Sequence, residues 1–235
     1  MSTNHRLSPA PLSPANAALD VAAVILAICA AWGVTRLFLY PALSIPQNAP
    51  AILRPIGGFF VAWLLLHRRG LGWDSVGLRK PVPWWIVIAG AAVVYLANMG
   101  LGQYVAPVLA QWISPVQQAS FMGYIRGNPS GFALWLTIGI VVGGFMEECL
   151  FRGFLLNRVA EMLGGSGAAI AAGIVAQAVL FGLLHLYGGV FACVFAGLAA
   201  LASGVVYLLV KRNLRPLILA HAAWNTVALT SLYMS

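Results

Sequence analysis

Glu147 and Glu148 are adjacent carboxylates, with Arg152 four residues on, in a stretch that otherwise reads as lipid-soluble. The chain has only five acidic residues, so two of them side by side in an apolar run mark the first place to look for chemistry. A charge at a bilayer centre costs ~2.5–3.5 kcal/mol on insertion scales, so it must face a protein interior or a wet cavity and find a partner. Residues four apart on a helix share a face, which lets Glu148 and Arg152 neutralise one another. Glu147 lies about 100° round the helix from Glu148 and is the freer carboxylate. Two further apolar runs carry Phe181-x-x-x-His185 and His221-x-x-x-Asn225. The second places an imidazole and an amide on one helix face. Gathered in one pocket, these groups suit hydrolysis. A desolvated carboxylate works as a general base on water, and an imidazole holds that water. A His–Asn pair donates hydrogen bonds to a developing oxyanion.

Each signal also has a plainer reading. An intramembrane Glu often belongs to a packing pair, a proton relay or an ion site. A histidine at a helix end is commonly just hydrogen-bonded, and an Asn in a spanning helix serves as glue between helices. The ordered co-occurrence of all three motifs is what sets them apart.

The elements that must position these groups are membrane spans. Of the 235 residues, 61% are hydrophobic and 8% charged, against about 25% charged in soluble domains. Such a chain cannot cover a water-facing surface. The expected fold is all-α: a polytopic transmembrane helix bundle with about seven spanning helices, or eight if residues 102–131 supply a short one. Runs of about 20 apolar residues cross the hydrocarbon. They fall at about 17–40, 51–66, 84–101, 132–161, 168–186, 190–210 and 217–234. Residues 1–16 read as a disordered cytoplasmic tail, 17–131 as N-terminal helices and 132–235 as the catalytic core. Pro41 and Pro46 are expected to end the first span, and Ser166 to cap the fifth. Cys29, Cys149 and Cys193 lie in apolar runs without metal-ligand spacing and read as small hydrophobes.

The net charge of +8 sits in short loops rather than on a nucleic-acid face, so it reads as a topology signal and no nucleic-acid partner is expected. The loop after the second span carries Arg68, Arg69, Arg79 and Lys80, and the last loop carries Lys211, Arg212 and Arg215. The loops between them on the other side are nearly free of basic residues. This alternation places the N-terminus in the cytoplasm and the C-terminus outside. Arg36 and Arg54 then fall near the outer boundary, where snorkelling accounts for them. The preference for Arg over Lys, with much Ala and Gly, points to a GC-rich bacterial source and its inner (plasma) membrane. Water is expected to reach Glu147 through a polar cavity open to the cytoplasm. With spans entered at Phe132 and Ala168, Glu147 and His185 lie roughly 22 and 26 Å from opposite faces, depths that do not meet in a ~30 Å core. They meet if the hydrocarbon begins near Ile140 and Gly173, so residues 132–137 should project beyond the outer boundary and the start of the fifth span into the cytoplasm.

Glu-Glu-x-x-x-Arg, Phe-x-x-x-His and His-x-x-x-Asn, in that order on three apolar helices, resemble the CPBP family of CAAX-processing and bacteriocin-processing intramembrane endopeptidases, also called Abi. The segment 73–79, Trp-Asp-Ser-Val-Gly-Leu-Arg, looks like that family too. The resemblance implies an endopeptidase acting on a membrane-associated, lipid-modified or leader-bearing peptide or protein. It implies Glu147 as the residue that activates water, His185 assisting, His221 and Asn225 forming the oxyanion hole, and Glu148, Arg152 and Phe181 in supporting roles. No cofactor is expected. The chain lacks His-Glu-x-x-His, so zinc is not favoured, although a Glu/His/His site from three helices stays open. The alternatives are a non-proteolytic immunity or scaffold protein of the same family, and a proton-coupled transporter. The absence of internal repeats counts against the transporter.

Overall fold

The computed structural model describes residues 12–44, 52–78, 81–114 and 123–235. Among them there is no β-strand, and seven apolar helices form a bundle. These are α1 (Pro14–Ala42), α2 (Leu53–His67), α3 (Trp84–Trp112), α4 (Pro129–Met162), α5 (Gly167–Leu184), α6 (Gly189–Leu209) and α7 (Arg215–Met234). All but α2, with 15 residues, belong to helical stretches long and apolar enough to cross a membrane.

Local chemistry sets the helix starts. Asn128 accepts a hydrogen bond from Gly131 N at 3.1 Å, and Pro129 follows in the first turn, so α4 begins three residues before its apolar run. Ser13 caps α1 and Ser166 caps α5 in the same way, the latter as expected. Residues 14–16 therefore belong to α1 rather than to a tail, while 1–11 lie outside the described residues.

The helix ends differ from expectation at two prolines. Pro41 does not stop α1 and Pro107 does not start a separate helix, so 106–112 continue α3 and supply no eighth span. In both cases a wide π-helical turn, Thr35–Leu39 or Leu101–Val105, immediately precedes the proline-bearing turn. Proline removes a backbone donor and crowds the preceding turn; a π turn changes the register there and lets the helix continue. Pro46, Pro115, Arg79 and Lys80 lie outside the described residues.

The axis of the bundle is α4, which packs against α1, α2, α5 and α7. Its second half is the most buried stretch of the chain: Leu150, Phe151, Phe154, Leu155 and Leu156 are fully enclosed. They join Leu66, Val76, Tyr207, Leu214 and Leu217 in one apolar core. At an α-helical rise the 34 residues of α4 extend about 50 Å, well beyond a ~30 Å hydrocarbon core. Its ends must therefore project from the hydrocarbon or the helix must tilt.

Beside this core, the segment between α2 and α3 is tied down by polar contacts. Val76 O accepts from Tyr207 Oη at 2.8 Å, and Gly77 O accepts from Leu214 N at 3.1 Å. Gly77 has φ 107°, and a Cβ there would lie 2.0 Å from Arg212 O. Only glycine meets both conditions. That fixes the Trp-Asp-Ser-Val-Gly-Leu segment as a docked element of the fold.

Candidate active site

The groups singled out by type converge in the middle of the bundle. Glu147, His185, His221 and Asn225 line one cavity of about 270 Å³. A second cavity, of about 540 Å³, shares His185, His221 and Asn225 and adds Glu148, Arg152 and Phe181. Glu147 and His185 are thus on the same side of the bundle, as a joint site requires.

Two π-helical segments of α4, Gly139–Glu147 and Cys149–Leu155, flank the paired carboxylates. Segments of this kind are uncommon and gather at functional sites. At the start of the first, Gly139 O accepts from Asn225 Nδ2 at 2.8 Å. Glycines make that approach possible. A Cβ on Gly143 would sit 2.6 Å from Asn225 Nδ2, and one on Gly144 would sit 3.0 Å from Ala222 Cβ. α7 therefore lies nearly on the backbone of α4, as small residues four apart allow in membrane helices.

Glu148 and Arg152 pair as their spacing implies, at 3.1 Å and almost fully enclosed. The same carboxylate oxygen accepts from His221 Nδ1 at 2.8 Å, a link between α4 and α7. A carboxylate only accepts, so the proton of this bond is on Nδ1. His185 closes α5 and is oriented by the backbone. Phe181 O, one of the orphan carbonyls of the last turn, accepts from His185 Nδ1 at 2.9 Å. That bond is the physical content of the Phe-x-x-x-His spacing. The Phe181 ring packs, tilted, at 4.7 Å from the His185 ring and carries the Arg152 guanidinium over its face at 4.6 Å. Phe181 thus braces both the imidazole and the ion pair.

Glu147 differs. Among the described residues, no hydrogen bond or ion pair engages its carboxylate, and it is only partly buried. The two neighbouring glutamates are therefore in different situations, one held by an ion pair and a hydrogen bond and one with neither among the described residues. Also among the described residues, no three His, Cys, Asp or Glu side chains are grouped to hold a metal ion.

Two lining residues have no place in the motifs. Arg54, read as an interfacial residue, is only 8% exposed. Its guanidinium donates to Leu184 O at 2.7 Å, next to His185, and lines the smaller cavity with Tyr187. Their signal in the sequence is faint: an arginine early in an apolar run, and a tyrosine two residues after the motif histidine. Gly139-x-x-x-Gly143 was the more readable sign.

The smaller cavity runs from Glu147 towards Ile52, Trp135 and Leu232, at the starts of α2 and α4 and the end of α7. This is the end opposite the loops that carry Arg68, Arg69 and 211–215. On the topology expected from charge, it is not the cytoplasmic end, which departs from the expected cytoplasmic opening.

Residues 129–227 match a family model described as Rce1-like, type II CAAX prenyl endopeptidase Rce1-like. The match begins at the first residue of α4, spans all three motifs and agrees with their resemblance to the CPBP endopeptidases. No curated protein and no solved structure matches the chain significantly.

Proposed function

We propose, taking residues 129–227 as the Rce1-like region of a CAAX-type membrane protease, that the chain hydrolyses a peptide bond of a membrane-associated substrate with Glu147 as the base that activates water. The observation that carries this reading is the contrast between the two glutamates. Glu148 is held by Arg152 and His221, whereas Glu147 borders an accessible cavity shared with both motif histidines and Asn225. A base must be free to take a proton from its water; Glu148 also borders the larger cavity but is committed to Arg152 and His221, which leaves Glu147 for that role.

Each neighbour then has a defined task. In the neutral His185 ring the proton on Nδ1 is given to Phe181 O, which leaves Nε2 as an acceptor able to hold the water beside Glu147. Attack on the scissile carbonyl places negative charge on its oxygen. Asn225 Nδ2 has a second hydrogen beyond the one given to Gly139 O, and that hydrogen suits the oxyanion. His221 donates to the same oxygen through Nε2 only as the imidazolium. The Glu148 carboxylate on Nδ1 is the counter-ion of that state, and Arg152 balances Glu148 in turn. Glu147, having taken the proton of water, is placed to return it to the departing amine.

The test uses purified wild type and Glu147→Gln with a mixture of membrane-inserted peptides, with and without chelator, and reads products by mass spectrometry. Cleavage by wild type alone, unchanged by chelator, is the expected result. Chelator-sensitive cleavage moves the chemistry to a metal. Equal cleavage by the variant removes Glu147 from its role.

A further inference from the structure

We infer that the hydrolytic cavity opens on the extracytoplasmic face of the membrane, so that its substrate is a peptide presented from that side, as a secreted or translocated segment is. Only the word substrate rests on the hydrolase reading; the sidedness does not.

Three independent observations lead here. The first is charge. Among the described residues, Arg68, Arg69, Arg158, Lys211, Arg212 and Arg215 lie towards one end of the bundle, and in the sequence Arg79 and Lys80 belong to the same stretch between helices as Arg68 and Arg69. Of the described basic residues, only Arg36, Arg54 and Arg126 lie towards the other. Short loops rich in Lys and Arg stay in the cytoplasm, which assigns the first end to that compartment.

The second is the placement of the cavity. Its lining on α4 covers Trp135 to Glu147, the half nearer the sparsely charged end, and on α7 it runs from His221 out to Leu232. On α2 it takes only Ile52, Arg54 and Pro55, at the start of the helix. A path from Glu147 along these residues leads away from the basic loops.

The third is the floor. Between the site and the basic end lie Phe151, Phe154, Leu155, Leu156, Leu66 and Leu214, each fully enclosed. Below them the 73–78 segment is pinned by Tyr207 and Leu214. Interiors packed in this way exclude water, and among the described residues neither cavity is lined by any of these side chains, so no aqueous route to Glu147 is seen through them. The larger cavity does not supply one. It lies against Val94 and Asn98 of α3 and against Phe191 to Ser203 of α6, and its lining continues to Tyr187 at the sparsely charged end.

The experiment is thiol labelling of single-cysteine variants made after replacing Cys29, Cys149 and Cys193 with alanine. Ile52→Cys and Met234→Cys report the cavity end, and Ser75→Cys and His67→Cys the basic end. The full-length chain is expressed in a bacterial inner membrane and exposed to a membrane-impermeant maleimide in right-side-out and in inverted vesicles. Ile52→Cys and Met234→Cys are expected to react in right-side-out vesicles only, and Ser75→Cys and His67→Cys in inverted vesicles only. The reverse pattern, or equal labelling of one position in both preparations, overturns the inference. Two positions at each end guard against one variant failing to fold. Labelling needs no turnover, so a failed cleavage assay would count against the hydrolase reading and leave this result standing.

Discussion

The two ends of the bundle treat polar side chains in opposite ways. At the basic end they pair with one another. Asp20 of α1, 2% exposed, takes both terminal nitrogens of Arg69 at 2.6 Å and Arg158 Nε at 3.1 Å, joining α1 to the end of α2 and to α4. Asn157 donates to Tyr207 Oη at 3.1 Å and accepts from Arg212 at 3.0 Å, while Tyr207 reaches Val76 O. At the cavity end the polar groups are fewer, and several line open space: Glu147, His185, Asn225 and Arg54. The difference teaches where stability and chemistry reside. Cross-linked charges and a dense core hold the helices at one end, and at the other Glu147 borders a cavity with no hydrogen bond or ion pair to its carboxylate among the described residues.

The comparison can be broken from either side. The largest expected effect on stability is at the closed end. Asp20→Ala removes the carboxylate shared by Arg69 and the buried Arg158; because Arg158 keeps Glu161 and Arg69 is partly exposed, the cost should fall at or below the low end of the about 3–5 kcal/mol of a broken buried pair. Thermal unfolding in detergent should show a large loss of stability, with turnover per folded molecule little changed. Next comes Asn225→Ala at the open end. Loss of one oxyanion donor lowers kcat by about 10²–10³. The KM should move little, because the interaction is made in the transition state. Gly143→Ala acts on the same amide indirectly, since its methyl would push Asn225 Nδ2 from 2.6 Å. It should lower kcat by less than Asn225→Ala, and its melting temperature should stay near that of wild type if the amide swings aside. The smallest effect is Tyr207→Phe, which removes the hydroxyl bridging Asn157 and Val76 and costs about 1 kcal/mol, seen only in unfolding.

Much of this contrast was legible in the sequence, and the illegible part has physical reasons. Seven apolar runs announce seven helices because hydrocarbon thickness sets their length. Glu148–Arg152 and Phe181–His185 are pairs four apart, and local spacing conveys them. Glu148–His221 is not local: 73 residues separate the partners, and only the approach of α7 to the glycines of α4 brings them together. The π turns were equally hidden, since they repeat no pattern and the prolines beside them read as helix ends. Arg54 was misread for a related reason. A basic residue near a span end normally reaches for the interface, and here the end of α5 offers Leu184 O instead. The direction of the cavity required both kinds of information, charge along the chain and packing across it.

The central claim, that the open end carries the chemistry and the closed end the fold, is tested most directly by Glu147→Gln. Cleavage of whichever membrane-inserted peptide wild type accepts and the melting temperature should be measured on the same preparation. Loss of a general base predicts a fall in turnover of about 10²–10⁴. The melting temperature should hold or rise, because among the described residues the carboxylate that is replaced makes no hydrogen bond or ion pair to lose. Turnover near the wild-type rate, or a melting temperature that collapses with the activity, would contradict the account.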